Sequence, residues 1–178
     1  NDVSRGTFRM VGVNSDGAVM AVNSNGYVTK ISGGDGVWAG PVGGTSKWFH
    51  AIDFSDALMG WGVGPRGDIQ HTTDGSLSWH TQKSGVSSLL LDVQFLNSRV
   101  GWIVGDGGVI LNTTDSGETW SVQSSGTSKS LMAIKFIDED NGWVVGADGT
   151  ILHTTDGGHF WSVQGSGVAI SLLGVEFV

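Results

Sequence analysis

The chain contains no cysteine, so neither a disulfide framework nor a thiolate metal site is open to it. Only two prolines stand against thirty glycines, which excludes a proline-rich linker and points to many tight turns. Lysine and arginine together number nine, scattered along the sequence, against seventeen aspartates and glutamates, for a formal charge of −8. Binding nucleic acid through its phosphates needs clustered cations, so that class is excluded. No apolar run reaches the roughly 18 residues that a membrane-spanning helix requires. Apolar residues also never recur at helical spacing over a useful length, so helices are not expected.

What the chain does have is repetition. The segments GWGVGPRGDIQHTTDGSLSW from Gly60, GWIVGDGGVILNTTDSGETW from Gly101 and GWVVGADGTILHTTDGGHFW from Gly142 lie 41 residues apart. Between 101–126 and 142–167, 17 of 26 positions are identical. Trp38, Trp79, Trp120 and Trp161 keep the same spacing, which adds an eroded copy before the other three. A fixed period of this size is the mark of a repeat architecture. Such architectures build surfaces more often than reaction centres.

Each unit reads as four short strands. In the last complete unit, Leu131–Ile137 alternates, with Met132, Ile134 and Phe136 on one face and Ala133 and Lys135 on the other. Gly142–Gly146 and Thr150–Thr155 follow as a hairpin whose turn carries a glycine at Gly149, as at Gly67 and Gly108, to supply positive φ. Trp161–Gln164 is the fourth strand. The fold class is therefore all-β, a propeller-type tandem repeat of four-stranded antiparallel blades of about 41 residues. One repeat domain over 1–178 is expected, with blades near 7–47, 48–88, 89–129 and 130–170 and an extra first strand over 171–178.

The turn between the third and fourth strands carries the most specific motif. Thr113–Trp120 is a complete Asp-box, S/T-x-D-x-G-x-T-W. Thr154–Trp161 departs only in Phe160, and Thr72–Trp79 has Ser76 in the glycine position. The first copy, Ile31–Trp38, has Gly33 where the aspartate belongs. The expected structural set is Asp74, Trp79, Asp115, Gly117, Trp120, Asp156, Gly158 and Trp161. The carboxylates accept N–H groups across the turn, and the indoles wedge between blades.

On these residues the chain resembles the Asp-box (BNR-repeat) propellers, and within them the photosystem II stability/assembly-factor family and its bacterial relatives. The resemblance covers 48–178 well and 7–47 poorly. It implies a non-catalytic assembly helper in a lumen or periplasm, with a protein partner. The acidic, thiol-free, Gly/Ser/Thr-rich composition points the same way, to a secreted, periplasmic or cell-surface home. The missing methionine at Asn1 is consistent with a removed leader.

Other chemistries find little to rest on. Sialidase-type hydrolysis needs grouped arginines and a Tyr/Glu pair, whereas Tyr27 is the single tyrosine and Arg66 and Arg99 lie in different segments. His71 and His153 are 82 residues apart on equivalent strands and cannot share one ion, so no metal or other cofactor is expected. The first strands line the centre of a propeller, which makes Asp53, Asp92, Gln94, Lys135 and Glu176 the candidate ligand or channel set. Trp48, whose repeat equivalents are Leu89, Ser130 and Ser171, is the candidate exposed aromatic. It keeps a glycan-binding lectin open as an alternative, with a glycoside hydrolase propeller fragment as the second. The surplus first strand ends on Val175, Phe177 and Val178, an apolar edge that invites pairing with a continuing chain or with another copy.

Overall fold

The computed structural model describes the backbone of residues 8–13, 19–23, 27–31, 38–44 and 48–177, and the side chains of 48–177. Val178 and the departing turn at 32–37 lie outside the described residues. Four antiparallel four-stranded sheets follow one another along the chain, each with its strands in sequence order. Blade I comprises β1 (Phe8–Val13), β2 (Val19–Asn23), β3 (Tyr27–Ile31) and β4 (Trp38–Gly44). Blade II comprises β5 (Ala51–Phe54), β6 (Gly60–Val63), β7 (Asp68–Thr72) and β8 (His80–Lys83). Blade III comprises β9 (Leu90–Phe95), β10 (Gly101–Gly105), β11 (Val109–Thr113) and β12 (Ser121–Ser124). Blade IV comprises β13 (Leu131–Phe136), β14 (Asn141–Gly146), β15 (Ile151–Thr155) and β16 (Ser162–Gln164). This is the all-β blade architecture that the 41-residue period implies.

The turn between the second and third strands of blades II, III and IV holds two successive left-handed residues. They are Arg66 and Gly67, Gly107 and Gly108, and Asp148 and Gly149, with φ between 53° and 76°. That pair is the type I′ geometry, whose twist matches the flanking strands. The core lies between the blades, because a four-stranded sheet cannot cover its own apolar faces. Trp61, Val63 and Ile69 of blade II meet Leu90, Val93 and Phe95 of blade III. Trp102, Val104 and Ile110 of blade III meet Leu131, Ile134, Phe136 and Trp161 of blade IV. Burying one such side chain contributes about 2–3 kcal/mol, so each blade is stabilised by its neighbour.

The glycine of each Gly-Trp pair has a packing reason. A Cβ on Gly101 would stand 2.6 Å from the Phe95 ring, which lies flat across the strand. That ring in turn stacks on Trp61 of the preceding blade, with centroids 3.4 Å apart.

Two expectations need correction. The alternation of β13 is broken by a bulge between Leu131 and Ala133. The extra residue shifts the phase. Leu131, Ile134 and Phe136 therefore fill the core, Ala133 is also buried, and Met132 is only half-buried. Residues 171–177 form no strand. A first strand is held by the second strand of its own blade, and among the described residues none lies beside this segment. It is fastened instead at points: Leu172 N–H donates to Gly146 O at 3.0 Å, and Gly149 N–H donates to Ile170 O at 2.7 Å.

Candidate functional site

The aspartate turns are built alike. Asp74 accepts the Thr72 hydroxyl at 2.8 Å, Ser78 N–H at 2.9 Å and the Ser78 hydroxyl at 2.6 Å. Asp115 repeats the set with Thr113 and Thr119. Asp156 keeps the Thr154 hydroxyl and Phe160 N–H, but Phe160 offers no hydroxyl. These donors favour the ionised carboxylate. The Ser78 hydroxyl is the largest influence on Asp74, pulling it down to about 2. Asp115 is lowered chiefly by Thr119, and Asp156 by the Phe160 amide. Carboxylates occupied in this way are turn fasteners, with no proton to offer at neutral pH.

A clamp between blades joins the aspartate turns of blades III and IV to the blade before each. Gln82 Nε2 and Trp61 Nε1 both donate to Ser116 O, at 2.9 and 3.1 Å. Trp120 Nε1 donates to Gln82 Oε1 at 3.3 Å. One blade on, Gln123 and Trp102 hold Gly157 O at 2.9 and 3.1 Å, and Trp161 reaches Gln123 at 3.4 Å. Gly117 and Gly158, with φ of 81° and 91°, lie directly under these glutamines, where a Cβ would collide with the amide. The recurrence of glutamine at 82, 123 and 164 was the available signal.

Asp53, Asp92 and Gln94 of the expected channel set face backbone. Asp53 accepts Phe54 N–H at 3.0 Å and Phe95 N–H at 2.6 Å, tying β5 to β9. Asp92 accepts Val93 N–H and Ile134 N–H, each at 2.9 Å, tying β9 to β13. Gln94 both donates to Phe136 O at 3.0 Å and accepts its N–H. Lys135 pairs with Glu176 at 2.9 Å, which lowers the Glu176 carboxyl. Burial, outweighing these amides, pushes Asp53 up and Asp92 up to about 6, with Asp53 adding repulsion on Asp92. His71 and His153 lie flat on Trp61 and Trp143, at 4.6 and 4.3 Å. Burial lowers the His71 pKa.

At the far side of blade IV, Phe177 meets Trp143 at 4.5 Å and 49°, a looser contact than Trp102 with Phe136 at 3.6 Å and 10°. Phe177 is exposed and Val175 half-buried. Trp48 is 68% exposed. It borders a cavity of about 720 Å³ that the turn Pro65–Asp68 and the stretch Thr81–Gly85 also line. Arg66 and Lys83 are exposed there, and among the described residues neither is in an ion pair. Sequence reading had isolated Trp48 without placing these two cations beside it.

The sequence matches the family described as "Photosynthesis system II assembly factor YCF48" over residues 37–122 and 76–165. Comparison with curated protein sequences finds no match. Among solved structures, YCF48 from Cyanidioschyzon merolae is 27% identical, with a TM-score of 0.71, over 85% of this chain and 51% of that one. The chain thus spans about half the length of that protein. A structure of YCF48 bound to D1 peptide is 14% identical, with a TM-score of 0.54, over 89% and 80% of the two chains. The GH74 enzyme of Niastella koreensis is 11% identical, with a TM-score of 0.66, over 88% of this chain and 30% of that one. The last two likenesses concern the fold alone. Two overlapping matches that together run from 37 to 165 cover most of the sequence, and the chain belongs to the photosynthesis system II assembly factor YCF48 family.

Proposed function

We propose that this chain is a non-catalytic assembly module that binds a peptide segment of a partner protein in an extracytoplasmic compartment. The observation that carries the reading is the family match over 37–165, in a family with a structure of YCF48 bound to D1 peptide. The geometry supports it. Asp53, Asp74, Asp92, Asp115 and Asp156 each accept backbone N–H groups. None of these carboxylates is left over for the acid and base of a glycosidase, which must flank a bond. Likeness to GH74 enzymes extends to blade architecture, which hosts many functions. The test is calorimetric titration of the full chain with D1 peptide, beside an assay for reducing sugar released from a polysaccharide panel. Saturable binding without sugar release is the expected result. Sugar release without peptide binding would overturn it.

A second reading concerns self-association through the edge at Val175, Phe177 and Val178. It rests on the exposure of Phe177 and its loose seat against Trp143. An apolar group held this way gains from a closer partner. Light scattering that gives one chain per particle at all concentrations would dismiss it.

A further inference from the structure

The repeat supplies an internal control for recognising a binding site. Around the cavity beside Trp48, Gly67, Gln82, Ser84 and Gly85 have identical residues one and two repeats later, at 108 and 149, 123 and 164, 125 and 166, and 126 and 167. These positions are the frame. The rest of the lining varies from blade to blade. Arg66 stands where the later blades have Gly107 and Asp148, Lys83 where they have Ser124 and Gly165, and Trp48 where they have Leu89 and Ser130. Thr81 replaces a pair of exposed valines, Val122 and Val163. In blade II these variable positions bring an indole and two cations to one place in space, although they are scattered over 36 positions of sequence from 48 to 83.

Their chemistry has a sign. The positions matching Arg66 and Lys83 in blades III and IV hold no cation, and one holds an acid, Asp148. In a chain of charge −8, two of the nine basic side chains flank this cavity. Asp68, the carboxylate in the lining, accepts the Gln70 amide at 2.8 Å. Arg66 is also held at φ 59°, a left-handed conformation that its equivalents meet with glycine or aspartate. Backbone strain of this kind collects at functional positions as well as in turns. Beside it, β8 is the outer strand of its sheet and, among the described residues, pairs with β7 alone. Its second backbone edge is open to an added strand. Thr81 and Lys83, two apart, project to the same side of that edge.

We infer that this cavity binds an extended, acidic peptide segment, laid along the β8 edge with carboxylates toward Arg66 and Lys83 and an apolar side chain on Trp48. This rests on the peptide-binding reading above and locates it. Strand-edge hydrogen bonding and paired cations suit a peptide better than a sugar, for which Trp48 alone would be the platform.

The test uses the full chain and a fluorescein-labelled octapeptide with alternating glutamate and valine and one phenylalanine, beside its glutamine counterpart, read by anisotropy. Trp48→Leu, Arg66→Gly and Lys83→Ser place blade III residues in blade II, and circular dichroism melts confirm folding. The acidic peptide is expected to bind at least tenfold tighter than the neutral one. Arg66→Gly and Lys83→Ser should each cost about tenfold, the usual effect of losing one charged contact. Trp48→Leu should weaken both peptides. Transplanting the set into blade III with Leu89→Trp, Gly107→Arg and Ser124→Lys should raise the stoichiometry from one to two. Equal binding of both octapeptides, or variants that bind like wild type, would overturn the site. If D1 peptide still bound all these proteins, the assembly reading would survive that loss. Binding of 3′-sialyllactose at the cavity with no peptide binding would overturn both in favour of a glycan ligand.

Discussion

Ser76 and Gly117 occupy the same place in consecutive blades, and exchanging their residue types should move stability in opposite directions. Ser76 is buried at φ 77°, and its hydroxyl has no hydrogen-bond partner among the described residues. A non-glycine residue in the left-handed region costs about 1–2 kcal/mol. A buried unsatisfied hydroxyl adds about 1 kcal/mol or more. Ser76→Gly removes both costs while gaining some unfolded-state entropy, for a net stabilisation of about 1–2 kcal/mol. At this chain length that corresponds to a rise in Tm of roughly 3–6 °C. Gly117→Ser should do the reverse and more. Its new Cβ would collide with the Gln82 amide, which is held by Ser116 O and Trp120 and cannot swing away cheaply. A loss of about 3 kcal/mol is expected from overpacking plus strain. By sequence, Pro41 holds the repeat position of Gln82 and Gln123, so blade I carries no glutamine there for Ser76 to clash with. Among the described residues Trp79 Nε1 is buried without a partner, whereas Trp120 and Trp161 each reach a glutamine. Calorimetric melts of both variants decide the matter. A Ser76→Gly protein that melts at or below the wild-type temperature would refute the reasoning.

Four further outcomes rest on the contacts described above. Gln82→Ala should cost about 2 kcal/mol in urea melts by orphaning Trp120 Nε1, and a double-mutant cycle with Trp120→Phe should return a coupling near 1 kcal/mol. Phe136→Ala should cost about 3–5 kcal/mol and Phe177→Ala less than about 1 kcal/mol, since the first is sealed between blades and the second is 41% exposed. Asp92, raised from 3.8 to about 6, binds its proton more tightly in the folded chain, so its stabilising contribution is complete below pH 3.8 and lost as pH rises through about 6. Tm should therefore fall across that window, and Asp92→Asn should flatten the slope even though it also loses an amide acceptor. Lys135 and Asp53 face the same carboxylate, the first opposing and the second reinforcing the shift. Asp74 runs the other way: lowered to about 2, it stabilises above pH 3.8 and loses that contribution as pH falls through about 2.

The period of 41 made the blades legible, because each strand, hairpin glycine and box tryptophan recurs where the previous copy predicts. The bulge in β13 was not legible, since an inserted residue leaves the alternation of types intact while changing which of them face the core. The glutamine clamp was visible as recurrence, but its meaning depends on a contact across 34 residues, from Gln82 to Ser116. The same holds for Trp48, Arg66 and Lys83. Trp48 stands out in sequence but Arg66 and Lys83 do not, and only folding sets the approach to β5, a hairpin turn and an outer strand around one cavity. Asp53 and Asp92 were legible as polar residues on first strands, yet their amide partners, on the next blade, could not be read from spacing.

Hydrogen–deuterium exchange of the full chain with and without D1 peptide tests the central claim most directly, that this is a peptide-binding assembly module working from one face of its blades. The account predicts added protection confined to residues 65–68 and 80–85, with the aspartate turns at 72–79, 113–120 and 154–161 unchanged. Protection centred on those turns, or no change at saturating peptide, would contradict it.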